Sequence, residues 1–180
     1  GDRTARPLAY FADIVGNVYA IDARGGTLVW KALADTHPTT TMTAAPVLYK
    51  DLLYQPVSSL EEGVSTDKYD CCTFRGSVIA YNARTGKEVW RTYLLPPFKP
   101  RGVNPAGYKK FGPSGIALWN SPAIDPKRGS LYIATGDNYS SPTTKLSDAV
   151  VAMDLRTGKI KWSHQVLAKD AWVTGCAMKG

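Results

Sequence analysis

A repeat constrains this chain more than any other feature. Residues 16–30 read GNVYAIDARGGTLVW, residues 76–90 read GSVIAYNARTGKEVW, and residues 148–162 read DAVVAMDLRTGKIKW. All three share Ala-x-(Asp/Asn)-x-x-x-Gly-x-x-x-Trp. Upstream of two copies lies a second shared block: Ala45-Pro46-Val47 leads to Leu53-Tyr54, and Ser121-Pro122-Ala123 leads to Leu131-Tyr132. A period of this size implies stacked units, none of which can bury its apolar face alone.

Within the units apolar residues recur with period two. Val18 and Ala20 alternate with Tyr19 and Ile21, Val78 and Ala80 with Ile79 and Tyr81, and Leu131 and Ile133 with Tyr132 and Ala134. Short β-strands follow from this. Sixteen Gly and twelve Pro work against a helical bundle, and no segment sustains a helical period. The fold class is all-β. Each unit holds an inner hairpin after (Ala/Ser)-Pro and an outer hairpin turning at (Thr/Gly)-Gly. The Asp or Asn before that turn can cap its amides, and Gly supplies the positive φ. The closing Trp30, Trp90 and Trp162 are large enough to wedge between neighbouring sheets, each indole N–H donating across the gap.

The spacing between these tryptophans exceeds a bare four-stranded unit. The excess falls at about 58–75 and 94–118, and insertions in a propeller usually build its working face. The net charge of +7 is scattered, and pairs such as Lys109-Lys110 sit by Gly and Pro, so no nucleic-acid stripe emerges. No apolar run reaches the roughly 20 residues a membrane helix needs. Three cysteines leave an odd thiol: Cys71 and Cys72 are adjacent, and Cys176 stands alone. The vicinal pair reads either as two small buried thiols or as a strained ring of the kind functional sites retain.

The repeat resembles the tryptophan-docking motif of the pyrroloquinoline quinone (PQQ) dehydrogenases, most closely the polyvinyl alcohol dehydrogenase-like branch. The resemblance is carried by residues 56–63 (PVSSLEEG), 71–77 (CCTFRGS), 117–122 (ALWNSP) and 134–140 (ATGDNYS), with Ser147-Asp148-Ala149 beyond. It implies an eight-bladed propeller of which residues 1–180 supply about three to four blades, with no separate second domain. A ring needs closure to protect its edge strands, so the chain reads as a fragment whose remaining blades lie elsewhere.

The resemblance also implies site residues. A Cys71–Cys72 disulfide lies on one face of PQQ and Trp119, which lacks the docking motif, on the other. Glu62 falls on the family's calcium-ligating glutamate and Ser59 on a residue that hydrogen-bonds PQQ. Asp137 occupies the place of an asparagine calcium ligand, with Asn138 as the alternative by a one-residue shift. Thr43 aligns with a threonine that contacts a PQQ carboxylate, Arg75 being a weaker candidate for that contact. The bare reading of Glu61-Glu62 is a solvated acidic loop, that of Asp137 is a turn cap, and that of Trp119 is a core residue. His37 and His164 show no metal spacing and read as surface loop residues.

The implied activity is alcohol oxidation with PQQ and Ca²⁺, electrons leaving to a c-type cytochrome. The aspartate acting as base is expected beyond Gly180, so no catalytic residue is assigned within the chain. Asp148 and Asp170 match docking or loop positions. Cys176 fits a thiol separated from its disulfide partner. The vicinal disulfide and the quinone point to the periplasm or the cell exterior. The alternative is a non-catalytic repeat propeller that binds proteins.

Overall fold

A computed structural model describes residues 6–174, so Cys176 lies outside the described residues. Strands β1 (Leu8–Ala12), β2 (Asn17–Asp22) and β3 (Leu28–Leu33) form an antiparallel meander. The second sheet contains β4 (Thr40–Thr41), β5 (Val47–Tyr49), β6 (Leu52–Ser59), β7 (Ser77–Asn82) and β8 (Glu88–Tyr93). Long β6 is its spine, pairing with β5 near its start, with β4 at its end, and with β7 along the other edge. Between β6 and β7 comes the one-turn helix α1 (Glu61–Val64) and a loop. A hairpin of β9 (Lys99–Val103) and β10 (Lys109–Gly112) follows β8. Short β11 (Ser114–Gly115) pairs with β14 (Asn138–Ser140). The last sheet is β12 (Ala123–Asp125), β13 (Ser130–Ala134), β15 (Ala149–Asp154) and β16 (Ile160–Gln165). Among the described residues the named elements are all β apart from the α1 turn, and their sheets are the blades that the repeat requires.

The outer turns form as their residues dictate. Asp22 Oδ1 accepts from the Arg24 amide at 2.8 Å, Asn82 Oδ1 from Thr85 at 3.0 Å, and Asp154 Oδ1 from Thr157 at 3.0 Å. Gly26, Gly86 and Gly158 take φ of 71°, 71° and 69°, the left-handed region where a side chain is strained. Stacking then sets burial. The middle sheet is covered on both faces: Ile79 and Tyr81 pack toward the first sheet with Trp30 and Val18, while Val78 and Ala80 pack toward the last with Leu131 and Val151. Hence β7 is buried nearly throughout, whereas β16 is exposed along most of its length.

Two of the docking tryptophans close the joints. Trp30 donates its indole N–H to Ala83 O at 2.9 Å, and Trp90 to Leu155 O at 3.3 Å. Each ring lies on the turn glycine of the next sheet: a methyl on Gly86 would come within 2.6 Å of Trp30, and one on Gly158 within 2.5 Å of Trp90. Trp162, on the outer strand of the last sheet, remains 49% exposed.

Candidate functional site

The site is assembled around the end of β6. Leu118 N donates to Val57 O at 3.3 Å, Gly136 N to Ala117 O at 3.0 Å, and Ile116 N to Asp137 O at 2.7 Å. Tyr139 donates its hydroxyl to Ser59 O at 3.4 Å. These bonds draw residues 116–119, at the end of one insertion, and residues 136–139, between β13 and β15, onto Val57–Ser59, with α1 starting immediately beyond.

Cys71 and Cys72 are joined as a disulfide between sequence neighbours, so of the two readings of this pair the ring is the one realised. Cys72 is buried and Cys71 partly so. The β10 strand holds the ring from one side, Cys71 N donating to Lys109 O at 3.0 Å and Phe111 N to Cys71 O at 2.8 Å. Cys71 also forms part of the wall of an open cavity of about 780 Å³ bounded by Tyr69, Arg101, Lys109, Lys110 and Tyr139. From the other side the flanks of the ring meet Glu61. Its carboxylate accepts from Thr73 N at 2.9 and 3.1 Å, from Phe74 N at 2.9 Å and from Tyr69 Oη at 3.3 Å.

Glu62, the next residue, has a different environment. Burial raises its carboxyl above the usual range. Asp137 is pushed up to about 7, first by burial, then by the charges of Glu62, Asp148 and Asp170. Its Oδ2 is buried without a hydrogen-bond partner. Two partly buried carboxylates that repel each other, one with an orphaned oxygen, form a locus of uncompensated negative charge. Trp119 lies beside it. Its Nε1 would be 3.2 Å from a methyl placed on Gly136, and the residue is 40% exposed.

Trp119 and the Glu62–Asp137 pair thus lie at the end of β6 through Gly136 and Asp137, and the disulfide reaches the same end through Tyr139, which shares its cavity with Cys71 and donates to Ser59 O. Residues 34–177 match the family model described as "PQQ: Glucose/ethanol/alcohol dehydrogenase, beta-propeller domain". The chain belongs to the PQQ dehydrogenase propeller family. It is 38% identical over 172 residues to a polyvinylalcohol dehydrogenase of Pseudomonas sp, covering 93% of this chain and 26% of that protein. A polyvinylalcohol dehydrogenase of Sphingopyxis sp. (strain 113P3) is 35% identical, with 98% of this chain and 27% of the relative covered. Among solved structures, quinohemoprotein alcohol dehydrogenase ADHIIG from Pseudomonas putida HK5 superposes with a TM-score of 0.72 at 27% identity, over 92% of this chain and 26% of that one. The chain thus spans about a quarter of the length of the relatives it matches.

Within this PQQ propeller the other sequence-derived candidates are dispersed. Thr43 is exposed on the link between β4 and β5. Ser59 is fully buried, its Oγ accepting from Glu61 N at 2.9 Å and paired with Thr39 Oγ1 at 2.7 Å. Arg75 donates to Leu95 O at 2.6 and 3.1 Å and lies 4.0 Å from the centre of the Tyr93 ring. Asn138 is buried, donating from its side chain to Ser114 O at 3.1 Å. His164 is exposed on β16, but His37 is not the surface residue its spacing suggested. It is partly buried, with Nε2 2.9 Å from Thr73 Oγ1 and 3.6 Å from Glu61.

Three further groups escaped the sequence reading. Asp148 and Asp170 stand close enough to raise Asp137, and no local pattern signals it, because Asp170 arrives when Trp172 N bonds Asn138 O at 2.9 Å. Thr41 and Ser58 face each other across β4 and β6, both hydroxyls buried and unpartnered. Glu61 is the third; its only signal in the sequence is that adjacent side chains on a helical turn point about 100° apart, so two adjacent acids cannot share one surroundings.

The residues fit the family's groups in kind. An orphaned Asp137 oxygen facing the charge of Glu62 suits a hard cation, which takes oxygen ligands. Among the described residues no three His, Cys, Asp or Glu side chains converge as a closed metal cage. Glu62 and Asp137 would thus be part of a ligand set.

Proposed function

We propose that this chain is the quinone- and cation-binding part of a PQQ- and calcium-dependent alcohol dehydrogenase resembling the polyvinyl alcohol enzymes, with residues 1–180 forming one run of blades. The observation that carries the reading is the Glu62–Asp137 carboxylate pair with Trp119 against the adjoining Gly136, and a vicinal disulfide whose cavity is shared by the neighbouring Tyr139. A protein-binding scaffold has no need of an open indole beside two electrostatically strained carboxylates.

Trp119 and the disulfide supply flat, rigid surfaces suited to a conjugated ring. Glu62 and Asp137 hold the cation, whose charge relieves their mutual repulsion. Thr43, exposed between β4 and β5, contributes a hydrogen bond to the quinone, whereas the buried Ser59 hydroxyl, engaged by Glu61 N and Thr39 Oγ1, supports the start of α1. When bound, PQQ accepts the hydride of the alcohol and the cation polarises its carbonyl. The base that takes the hydroxyl proton comes from outside this chain, and electrons pass to a c-type cytochrome. The vicinal disulfide supports an oxidising location, the periplasm or the exterior.

The test uses the protein that carries this chain together with its other blades. Glu62→Gln should weaken both Ca²⁺ and PQQ binding, while Trp119→Ala should weaken PQQ and leave Ca²⁺ affinity nearly intact. Unchanged PQQ reconstitution in Glu62→Gln refutes the ligand assignment.

A further inference from the structure

We propose that Glu61 is a positioning residue for the Cys71–Cys72 disulfide, its buried carboxylate fixing where the ring sits and thereby the surface offered to the quinone. The inference rests on the functional reading above for the quinone but not for the ring.

Glu61 is 0% exposed. A carboxylate so buried is costly unless its lone pairs are filled by donors. The donors are not drawn from its own helix or strand. They are Tyr69 Oη, two residues before the ring, and the amides of Thr73 and Phe74, the two residues after it. One anion therefore grips both flanks of the disulfide. The ring between neighbouring cysteines is short and internally constrained, so it moves with its flanks as a body.

Two further contacts tie the same residue to the sulfurs. Ser65 Oγ donates to the backbone carbonyl of Glu61 and lies 3.3 Å from Cys71 Sγ and 3.5 Å from Cys72 Sγ. His37, 3.6 Å from Glu61 and 2.9 Å from Thr73 Oγ1, closes the remaining side. The α1 turn thus divides two adjacent acids between two tasks. Glu61 faces the disulfide loop, and Glu62 faces Asp137. The cation ligand and the disulfide support are set by one turn of backbone, which fixes their separation more tightly than two independent loops would.

Reduction of the ring by tris(carboxyethyl)phosphine, followed in this chain by thiol trapping and peptide mass mapping, measures how firmly it is held. Glu61→Gln keeps an acceptor on one arm and loses it on the other. It should reduce about tenfold faster, the scale expected for one charge-assisted hydrogen bond lost. Tyr69→Phe, which removes only the peripheral donor, should reduce about two- to threefold faster. Glu62→Gln should reduce at the wild-type rate. A Glu61→Gln chain that melts cooperatively yet reduces at the wild-type rate overturns the proposal. If that variant does not fold, a wild-type rate in Tyr69→Phe overturns it instead.

A second arm titrates PQQ and, separately, Ca²⁺ into the protein with its remaining blades. Glu61→Gln should weaken PQQ about tenfold and leave Ca²⁺ unchanged. Faster reduction with unaltered PQQ affinity overturns the link to the quinone. Failure of even the wild-type protein to bind PQQ refutes the dehydrogenase reading, and the reduction rates still decide the role of Glu61.

Discussion

Gly26 and Gly86 occupy the same place in consecutive repeats and share a φ of 71°. They differ in what stands over them. Space around a methyl on Gly26 is empty to 4 Å, whereas a methyl on Gly86 would sit 2.6 Å from Cδ2 of Trp30. The pair therefore separates backbone strain from inter-blade docking. Gly26→Ala should lose about 1 kcal/mol, the strain of a left-handed L-residue. Gly86→Ala incurs the same strain and displaces the indole, adding about 1–3 kcal/mol of overpacking. Displacement also stretches the Trp30 Nε1 bond to Ala83 O, now 2.9 Å, worth about 1 kcal/mol. The expected total is about 3–5 kcal/mol, a large share of the roughly 5–15 kcal/mol that holds a domain folded. Urea unfolding of this chain, read by tryptophan fluorescence, measures both losses. Equal losses at Gly26 and Gly86 would show that the indole does not hold the joint.

Trp30→Ala, removing a ring that is 8% exposed, should cost about 3–5 kcal/mol, while Trp162→Ala, at 49% exposure, should cost less than about 1 kcal/mol by the same unfolding measurement. Alkylation of the unreduced, denatured chain should leave Cys71 and Cys72 unlabelled, as intact and peptide masses report; labelling of both contradicts the disulfide. Asp137 should give a pH signature. Its pKa rises from 3.8 to about 7 on folding, so the fold favours the protonated acid, and stability is lost as pH climbs through that window. Asp137→Asn should therefore gain stability over the wild type between about pH 4 and pH 7 and hold that gain above it, in thermal melts without added metal. A gain that instead shrinks with rising pH refutes the sign. Added Ca²⁺ should stabilise the wild-type chain more at pH 8 than at pH 5, since protons compete for the same oxygens.

The candidate site shows where local pattern stops informing. The cysteines are legible because adjacency alone makes a disulfide between them an unusual ring. Trp119 stands out in the sequence because it lacks the docking motif that accounts for Trp30, Trp90 and Trp162. Glu61 does not. Side by side, Glu61 and Glu62 read as one solvated patch, and only the direction of the α1 turn sends one into a nest of amides and the other toward Asp137. His37 and Thr73 are 36 positions apart, so their hydrogen bond leaves no periodic trace. Asp170 had the same difficulty, reaching Asp137 through a backbone bond between Trp172 and Asn138.

What the sequence determined by itself was the repeating unit: strands from period-two alternation, turns from Asp or Asn ahead of Gly, and joints from Trp30 and Trp90. These are short-range properties, set by φ preference, side-chain alternation and one large ring per unit. Tertiary structure decided burial and charge. The middle sheet is dry on both faces because blades stack on each side of it, so β7 is buried nearly throughout while β2, with the same motif, alternates. Only the folded arrangement puts Glu62, Asp148 and Asp170 within reach of Asp137, because electrostatic coupling depends on distance through space and not on separation along the chain.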